Sequence, residues 1–260
     1  ISESQRLAYA DRNKYVADTD FVPLPGNGVN SMVAKDYLKT RAALISTTKS
    51  MGTAQAGVFS SAQALLGSSA AEGKGTTHMS IVDKYGNALV MTTTIESGMG
   101  SFHFTRGFLL NNQLTDFSFD PSDASGLIAN RIGPLKRPRS SMAPTLVFAK
   151  AADGSRGDFV MATGSPGGAT IIQFVVKTVV SALDWKLDAQ QATSMVNFGA
   201  ANSATTGVGG EHPSIDVTNS GLNDPLLVGL RSLGHTVSFS AQSSGVSTII
   251  RAPAAWNAGL

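Results

Sequence analysis

A change in composition at residues 75 and 76 places the strongest constraint on how this chain can fold. Residues 46–75 consist mainly of Ser, Thr, Ala and Gly, which provide too little apolar surface to build a core. From Thr76 onward, strand-like segments alternate with turns and helical segments. We therefore predict a first part, residues 1–75, that ends in a mobile connector, and a second part, residues 76–260, that forms the main folded unit.

Two β-hairpins are predicted in the second part. Residues 77–82 and 88–95 are rich in β-branched residues and flank a turn at residues 83–87. Residues 144–150 and 159–163 have the same character on either side of an Asp-Gly turn. Each pair of runs is close enough in sequence for its strands to pair directly.

Helices are predicted in both parts of the chain. In the first part they cover residues 1–20 and a segment from an N-cap at Ser31 to about residue 45. In the second part a Gly-rich break at residues 164–168 precedes an apolar helix that runs to about Trp185. Asp188 is a suitable N-cap for the helix that follows.

The C-terminal region is predicted to contain a loop, a helix and a last hairpin. The loop covers residues 200–210, and the helix runs from Asp224 to Leu233 before Gly234. Residues 235–240 and 246–251 are predicted to pair with each other. Strands on both sides of central helices indicate a layered α+β domain.

Composition argues against several classes of function. The net charge of +2, without a Lys/Arg cluster, argues against nucleic-acid binding. The chain has no Cys, which excludes a thiolate nucleophile and a Cys-ligated metal. The four histidines lack metal-binding spacing, and the longest apolar run is too short to span a bilayer. We therefore expect no metal, no cofactor, no nucleic-acid partner and no membrane span.

Thr76 has the most distinctive position of any candidate nucleophile. If the peptide bond after Gly75 breaks, Thr76 carries both a hydroxyl and a free α-amine that can act as its general base. The residues alone leave a second interpretation open, because threonine is common at the start of a strand.

Five blocks of sequence follow one another in an order and at a spacing that match a known pattern. The blocks are Tyr9 to Arg12 with Asp18 to Phe21, Thr76 to Ile81 with Thr92 to Glu96, Leu109 to Phe117, Arg137 to Thr145, and Thr163 to Gly168. Together they cover most of the chain and resemble the gamma-glutamyltranspeptidase family.

The resemblance implies an α+β fold of the N-terminal-nucleophile hydrolase type, a four-layer αββα sandwich. It implies that residues 1–75 end a large subunit and that residues 76–260 form most of a small, catalytic subunit. The chain would cleave itself between Gly75 and Thr76 and remain bound to the rest of the large subunit as a heterodimer. It would work in the periplasm or outside the cell.

The implied reaction uses Thr76 as the nucleophile. Thr76 takes the γ-glutamyl group from glutathione or a related amide, and water or an amino-acid or peptide acceptor then removes that group. Thr94 matches the family threonine that hydrogen-bonds the nucleophile. Gly167 and Gly168 match the oxyanion-hole position, where glycines before a helix let backbone N–H groups approach a developing negative charge.

The resemblance also implies a binding site for the zwitterionic glutamyl head. Glu96, Gln113 and Asp116 match positions that hold the α-amino group, and carboxylates suit an ammonium. Ser140 and Ser141 match the pair that donates to the α-carboxylate.

The sequence departs from the family pattern in three respects. Residues 117–136 lack the lid tyrosine of some members, which favours an open site like that of the related cephalosporin acylases. No residue here matches the large-subunit arginine that grips the substrate carboxylate, and the Asp-Pro-Arg tail of the family is missing. We therefore expect the 260 residues to be an internal portion of a longer protein, or two processed chains numbered together.

Two other functions stay open. The first is a glutaryl or cephalosporin acylase, which would not require the α-amine of the substrate. The second is an inactive remnant that keeps the fold as a binding protein, although the presence of Thr76, Thr94 and the glycine pair argues against it.

Overall fold

The computed structural model describes residues 1–26, 28–59, 75–124, 126–209, 215–239, 242 and 244–252. Half of the predicted mobile connector, residues 60–74, lies outside these ranges. The described residues contain six α-helices and twelve β-strands.

Helices in the first part are shorter than predicted. Helix α1 (Ser2–Tyr15) ends where Val16 becomes extended. It is followed by α2 (Val29–Met32) and α3 (Lys35–Ala42). The prediction of one helix capped by Ser31 is wrong, because Ser31 lies inside α2 and the chain leaves the helical path before α3 begins.

The described start of the connector packs against α1. Ala54 is buried with Leu7 and Ala10, and its backbone N–H donates to Asn202 Oδ1 at 2.6 Å. The backbone N–H of Gly57 donates to Asp11 Oδ1 at 2.6 Å. This stretch therefore contacts α1 through a buried alanine and a hydrogen bond, and the mobility of the connector stays a prediction.

The first hairpin has the predicted form. Strand β1 (Thr76–Val82) pairs antiparallel with β2 (Ala88–Thr94), so that Thr76 faces Thr94. Burial alternates along both strands, as expected of a sheet that packs on one side only. The outer side exposes four large apolar side chains, which belong to Met79, Ile81, Leu89 and Met91.

Four short strands follow the hairpin. Strand β3 (Phe104–Thr105) pairs with β4 (Phe108–Leu109), and β5 (Ser122–Asp123) pairs with β6 (Gly126–Leu127). The second pair lies within residues 117–136, where the sequence lacks the lid tyrosine of some family members.

A three-stranded sheet packs against the hairpin. Strands β7 (Thr145–Lys150) and β8 (Arg156–Gly164) form the second predicted hairpin. Helix α4 (Ile171–Leu183) and helix α5 (Ala189–Ser194) follow. Asp188 is the N-cap of α5, as predicted, and it forms a complete capping box.

The C-terminal strands do not pair as predicted. Strand β9 (Asn197–Gly199) pairs with β10 (Thr205–Gly209), which occupies the predicted loop. Helix α6 (Pro225–Ser232), predicted from Asp224 to Leu233, has Asp224 as its N-cap and connects β10 to β11 (Thr236–Phe239). This crossover makes β10 and β11 parallel, and β11 therefore does not form a hairpin with the last strand.

Strand β12 (Ser247–Ile250) completes the three-stranded sheet instead. It pairs antiparallel with β8, which gives the order β12-β8-β7. Ser80 on the hairpin donates to the backbone oxygen of Ser247 at 3.3 Å and so ties the two sheets together. Helices α4 and α5 pack against β8, β9 and β12, and the predicted α+β class is confirmed.

Large apolar side chains on α4 and β8 lie in the interior of this arrangement. Phe174 and Ile171 on α4 and Met161 on β8 are almost completely buried, and each contributes about 1.5–3 kcal/mol by leaving water. The described ranges contain no helix long and apolar enough to cross a membrane.

An ion pair joins the loop after α1 to the second part of the chain. Arg137 donates to Asp18 Oδ2 from its backbone N–H at 2.8 Å and to Oδ1 from Nη2 at 2.7 Å. The side chain of Asp18 is buried, while that of Arg137 remains exposed. The hydrogen bonds from Arg137 hold the pKa of Asp18 well below its ordinary value.

We predict that Asp18→Asn destabilises the protein more at pH 7 than at pH 3. Because the folded pKa of Asp18 is depressed, its contribution is present above the ordinary value of 3.8 and is lost as the pH falls through the folded pKa. Urea denaturation of both proteins at the two pH values measures the difference. Asp36→Asn, at an exposed position on α3, serves as a control with no such trend. A loss of stability that is equal at both pH values contradicts the prediction.

Candidate active site

Residues from several distant segments meet in one cleft beside the start of β1. Eight of the ten residues that the sequence analysis singled out line it, and Gly75 and Gly167 are chain neighbours of two of them. Two apolar residues that were not predicted also contribute. The complete lining is Thr76, Thr94, Glu96, Gln113, Asp116, Ser140, Ser141, Met142, Gly168 and Ile171.

Thr76 and Thr94 lie opposite each other at the open end of the hairpin. The hydroxyl of Thr76 donates to Thr94 Oγ1 over 3.3 Å. The backbone N–H of Glu96 donates to the same oxygen at 2.8 Å. These two donors fix Thr94 Oγ1 beside the Thr76 hydroxyl before any ligand is bound.

Gly75 continues the strand without room for a side chain. Its backbone N–H donates to the backbone oxygen of Glu96 at 2.7 Å. A Cβ built on Gly75 would lie 2.5 Å from that oxygen and 2.5 Å from the carbonyl carbon of Ser97. Since both neighbours are backbone atoms, only glycine fits here without a shift of the strand.

Glu96 reaches the cleft through an unusual backbone conformation. Its φ of 76° lies in the left-handed region, which a non-glycine residue adopts at a cost of about 1 kcal/mol or more. The buried carboxylate accepts hydrogen bonds from Ser97 Oγ at 2.6 Å and from Asn112 Nδ2 at 2.5 Å. Asn112 also accepts from the Ser97 backbone N–H at 3.0 Å, and so it holds this turn from both sides.

Gln113 and Asp116 share a 3₁₀ helix at Gln113–Asp116. The amide of Gln113 donates to the Asp116 carboxylate, which is buried. The side chain of Asn130, completely buried, donates to the backbone oxygen of Asp116 at 2.8 Å. The cleft therefore contains two buried carboxylates, those of Glu96 and Asp116.

Ser140 and Ser141 have different surroundings although they are adjacent. Ser140 is exposed, and its hydroxyl accepts from the backbone N–H of Met142 at 3.1 Å. Ser141 is buried, and its hydroxyl accepts from Arg12 Nη2 at 2.6 Å. One member of the pair is thus held by a cation from helix α1.

Gly167 and Gly168 form the turn that leads into α4. Both have positive φ, 142° and 57°, which favours glycine at these positions. A Cβ on Gly167 would lie 2.5 Å from the ring of Phe174. Backbone N–H groups at the start of a helix are unpaired within the helix and carry partial positive charge, so this turn suits a developing negative charge in the cleft.

His78 lies behind Thr76 on the inner face of the hairpin. Its Nδ1 is 2.7 Å from Thr92 Oγ1, and its Nε2 is 3.0 Å from Ser80 Oγ. Burial lowers the pKa of the imidazole. The ring packs so closely on Gly164 that a Cβ there would overlap it.

Sequence reasoning assigned no role to three residues that contact the site or its supporting strands, namely Asn112, Arg12 and His78. All three stand inside the blocks that carry the family resemblance, and this was the signal that could have drawn attention to them. In the described part of the chain, no group of three or more His, Cys, Asp or Glu side chains is arranged to hold a metal ion.

The chain is similar to known proteins over most of its length. The family model described as Gamma-glutamyltranspeptidase matches residues 1–260. The glutathione hydrolase proenzyme of Escherichia coli (strain K12) is 38% identical over 205 residues, which cover 76% of this chain and 33% of that protein. The Acylase ACY 1 proenzyme of Pseudomonas sp. (strain V22) is 29% identical over 194 residues, which cover 74% and 30%.

A crystal structure of a mutant Helicobacter pylori gamma-glutamyltranspeptidase aligns with a TM-score of 0.56 and 29% identity, over 68% of this chain and 91% of that chain. The fold is therefore the α+β fold of the N-terminal-nucleophile hydrolases. The chain belongs to the gamma-glutamyltranspeptidase family, and it spans about a third of the length of the curated relatives that it matches.

We predict that Gly164→Ala destabilises the protein by about 1–3 kcal/mol, the usual cost of forcing an extra carbon into a packed site. The new methyl group would overlap the His78 ring. Thermal or urea denaturation measures the loss, and Gly229→Ala is the control because a Cβ there meets no atom within 4 Å. Combining Gly164→Ala with His78→Ser should recover part of the stability, and an additive double variant contradicts the explanation.

Proposed function

We propose that this chain is the catalytic part of a threonine-nucleophile enzyme that cleaves itself between Gly75 and Thr76. The processed enzyme then hydrolyses or transfers the γ-glutamyl group of glutathione and related amides. The observation that carries this proposal is the cleft, where Thr76 and Thr94 share a hydrogen bond beside two buried carboxylates and a serine pair. The family membership supports it independently.

The self-cleavage step starts from the Thr76 hydroxyl. Its oxygen attacks the carbonyl carbon of Gly75, the C–N bond breaks, and the acyl group moves to the oxygen as an ester. Water then hydrolyses the ester, which leaves a carboxylate on Gly75 and a free amine on Thr76. The hydrogen bond from the Gly75 N–H to the backbone oxygen of Glu96 favours this step because it holds in place the residue that supplies the scissile carbonyl.

The substrate step uses the same oxygen with the new amine as general base. The hydroxyl of Thr76 attacks the γ-carbonyl of the substrate, and the leaving amine departs with a proton. Backbone N–H groups of the Gly167–Gly168 turn are suited to stabilise the oxyanion. Water or an acceptor amine then releases the γ-glutamyl group and restores Thr76.

The charges of the cleft favour a γ-glutamyl head. An α-ammonium group needs anionic partners, which the buried carboxylates of Glu96 and Asp116 provide. An α-carboxylate needs donors, and Ser140 and Ser141 supply hydroxyl groups. A cleft with both kinds of group suits a zwitterion better than a neutral acyl chain.

An acylase function is the second candidate, because one relative of this chain is named as an acylase. An enzyme of that kind acting on glutaryl amides needs no partner for an ammonium group. The two buried carboxylates favour the γ-glutamyl function. The two functions differ in whether the substrate needs its α-amine.

We also propose that residues before Gly75 stay attached after cleavage, together with the rest of a large subunit. Hydrogen bonds from Arg12 to Ser141, from Arg137 to Asp18 and from Ala54 to Asn202 cross the proposed cleavage point. These contacts do not depend on the peptide bond between Gly75 and Thr76.

We predict that the full-length protein splits at Gly75–Thr76 and that Thr76→Ala remains intact. Gly75→Ala should cleave more slowly, on the order of 100-fold, because its Cβ would displace the strand and misplace the scissile carbonyl. Denaturing mass spectrometry over time measures both. Gly98→Ala, where a Cβ meets no atom within 4 Å, should cleave at the wild-type rate. A wild type that stays whole would falsify the proposed mechanism.

We predict a preference for γ-glutamyl anilides over glutaryl anilides, which lack the α-amine. Asp116→Asn should raise KM for the γ-glutamyl anilide by roughly 10-fold or more, the usual effect of losing a charged hydrogen bond. It should leave the kinetics of the glutaryl anilide nearly unchanged. Equal losses with both anilides would show that Asp116 does not contact the amine, and a wild-type preference for glutaryl would favour the acylase.

A further inference from the structure

Helix α1 places a cation against one residue of the cleft lining, although the helix precedes the proposed cleavage site by about sixty residues. Arg12 Nη2 donates a hydrogen bond of 2.6 Å to the hydroxyl oxygen of Ser141. Ser141 is buried and lines the cleft, whereas its neighbour Ser140 is exposed and is held only by its own turn. Arg12 therefore acts on the more enclosed of the two serines.

The chemistry of the two groups determines the direction of their hydrogen bond. A guanidinium group has five N–H donors and no acceptor, so the oxygen of Ser141 must accept. A hydroxyl that accepts from a cation keeps its own hydrogen for another partner. Because Ser141 lines the cleft, a ligand with an acceptor oxygen can take that hydrogen.

Two residues one turn apart on α1, Tyr9 and Arg12, contact two different sides of the cleft. The guanidinium carbon of Arg12 lies 5.8 Å from the centre of the Tyr9 ring, which is within the range of a cation–π contact. The hydroxyl of Tyr9 donates to the backbone oxygen of Ala169, the residue after Gly168. The same face of α1 thus contacts the serine wall through Arg12 and the glycine turn through Tyr9.

We propose that Arg12 is a positioning residue that sets specificity for a substrate carboxylate. It holds Ser141 as a donor toward that carboxylate and adds a positive charge behind it. The proposal rests on the proposed function, because it assumes that a γ-glutamyl group binds in this cleft. It adds that residues on the large-subunit side of Gly75 determine recognition on the small-subunit side.

Three anilides separate the contributions of the two head groups. The γ-glutamyl anilide has both an amine and a carboxylate, the glutaryl anilide has only the carboxylate, and the 4-aminobutyryl anilide has only the amine. Arg12→Met removes both the donor and the charge while keeping an unbranched side chain. It should raise KM by about 10-fold for the two anilides that carry a carboxylate and leave the 4-aminobutyryl anilide unchanged.

Further variants of the full-length protein test whether Arg12 acts through Ser141. Ser141→Ala should produce the same pattern, and the double variant should cost little more than Ser141→Ala alone, because both changes remove one interaction. Arg12→Lys, which keeps a cationic donor, should fall between wild type and Arg12→Met. Lys14→Met removes a charge from the same helix and should leave all three anilides unchanged, since Lys14 lies over the Tyr15 ring.

Four outcomes overturn the inference. One is an equal effect of Arg12→Met on all three anilides, and another is full additivity with Ser141→Ala. The third is an unchanged KM in Arg12→Met, and the fourth is a block of self-cleavage in Arg12→Met but not in Ser141→Ala. Failure of the proposed function has a different signature, because the wild type would then hydrolyse none of the γ-glutamyl anilide.

Discussion

The antiparallel register of β1 and β2 is the constraint on which the site depends. A slip of one residue would turn every side chain of β1 to the opposite face and remove Thr76 from Thr94. The turn at the far end of the hairpin holds the register, because the Asp83 carboxylate accepts backbone N–H groups of Tyr85 and Asn87 at 2.8 and 2.9 Å. The position of the nucleophile is therefore determined by a turn at the opposite end of the hairpin.

Some features could be predicted from the sequence because local chemistry determines them. The helix starts at Asp188 and Asp224 are examples, since each carboxylate accepts from backbone N–H groups two or three residues away. The parallel pairing of β10 with β11 could not be predicted, because β10 is rich in Gly and Thr and its partner lies beyond a helix. Its place in the sheet is decided by packing around Val208 rather than by its own propensity.

The residues of the candidate site could be predicted from the sequence, but contacts between residues far apart in the sequence could not. The resemblance pointed to the residues that line the cleft, because those residues stand in recognisable blocks of sequence. It did not point to the contact of Arg12 with Ser141, which joins positions 129 residues apart. Nor did it reveal the fit of the His78 ring against Gly164. Such contacts exist only once the two sheets and α1 have packed together.

The polar side chains between the two sheets are paired with one another, so the threonine hydroxyls of the site can lie there at little cost in stability. On the inner face of the hairpin, cross-strand pairs join Thr76 to Thr94 and His78 to Thr92, while the far end carries Val82. Each polar side chain meets a polar partner, which avoids the cost of about 1–3 kcal/mol for a buried unsatisfied group. Burial also lowers the pKa of His78, which favours the neutral imidazole and so disfavours an uncompensated charge beside the nucleophile.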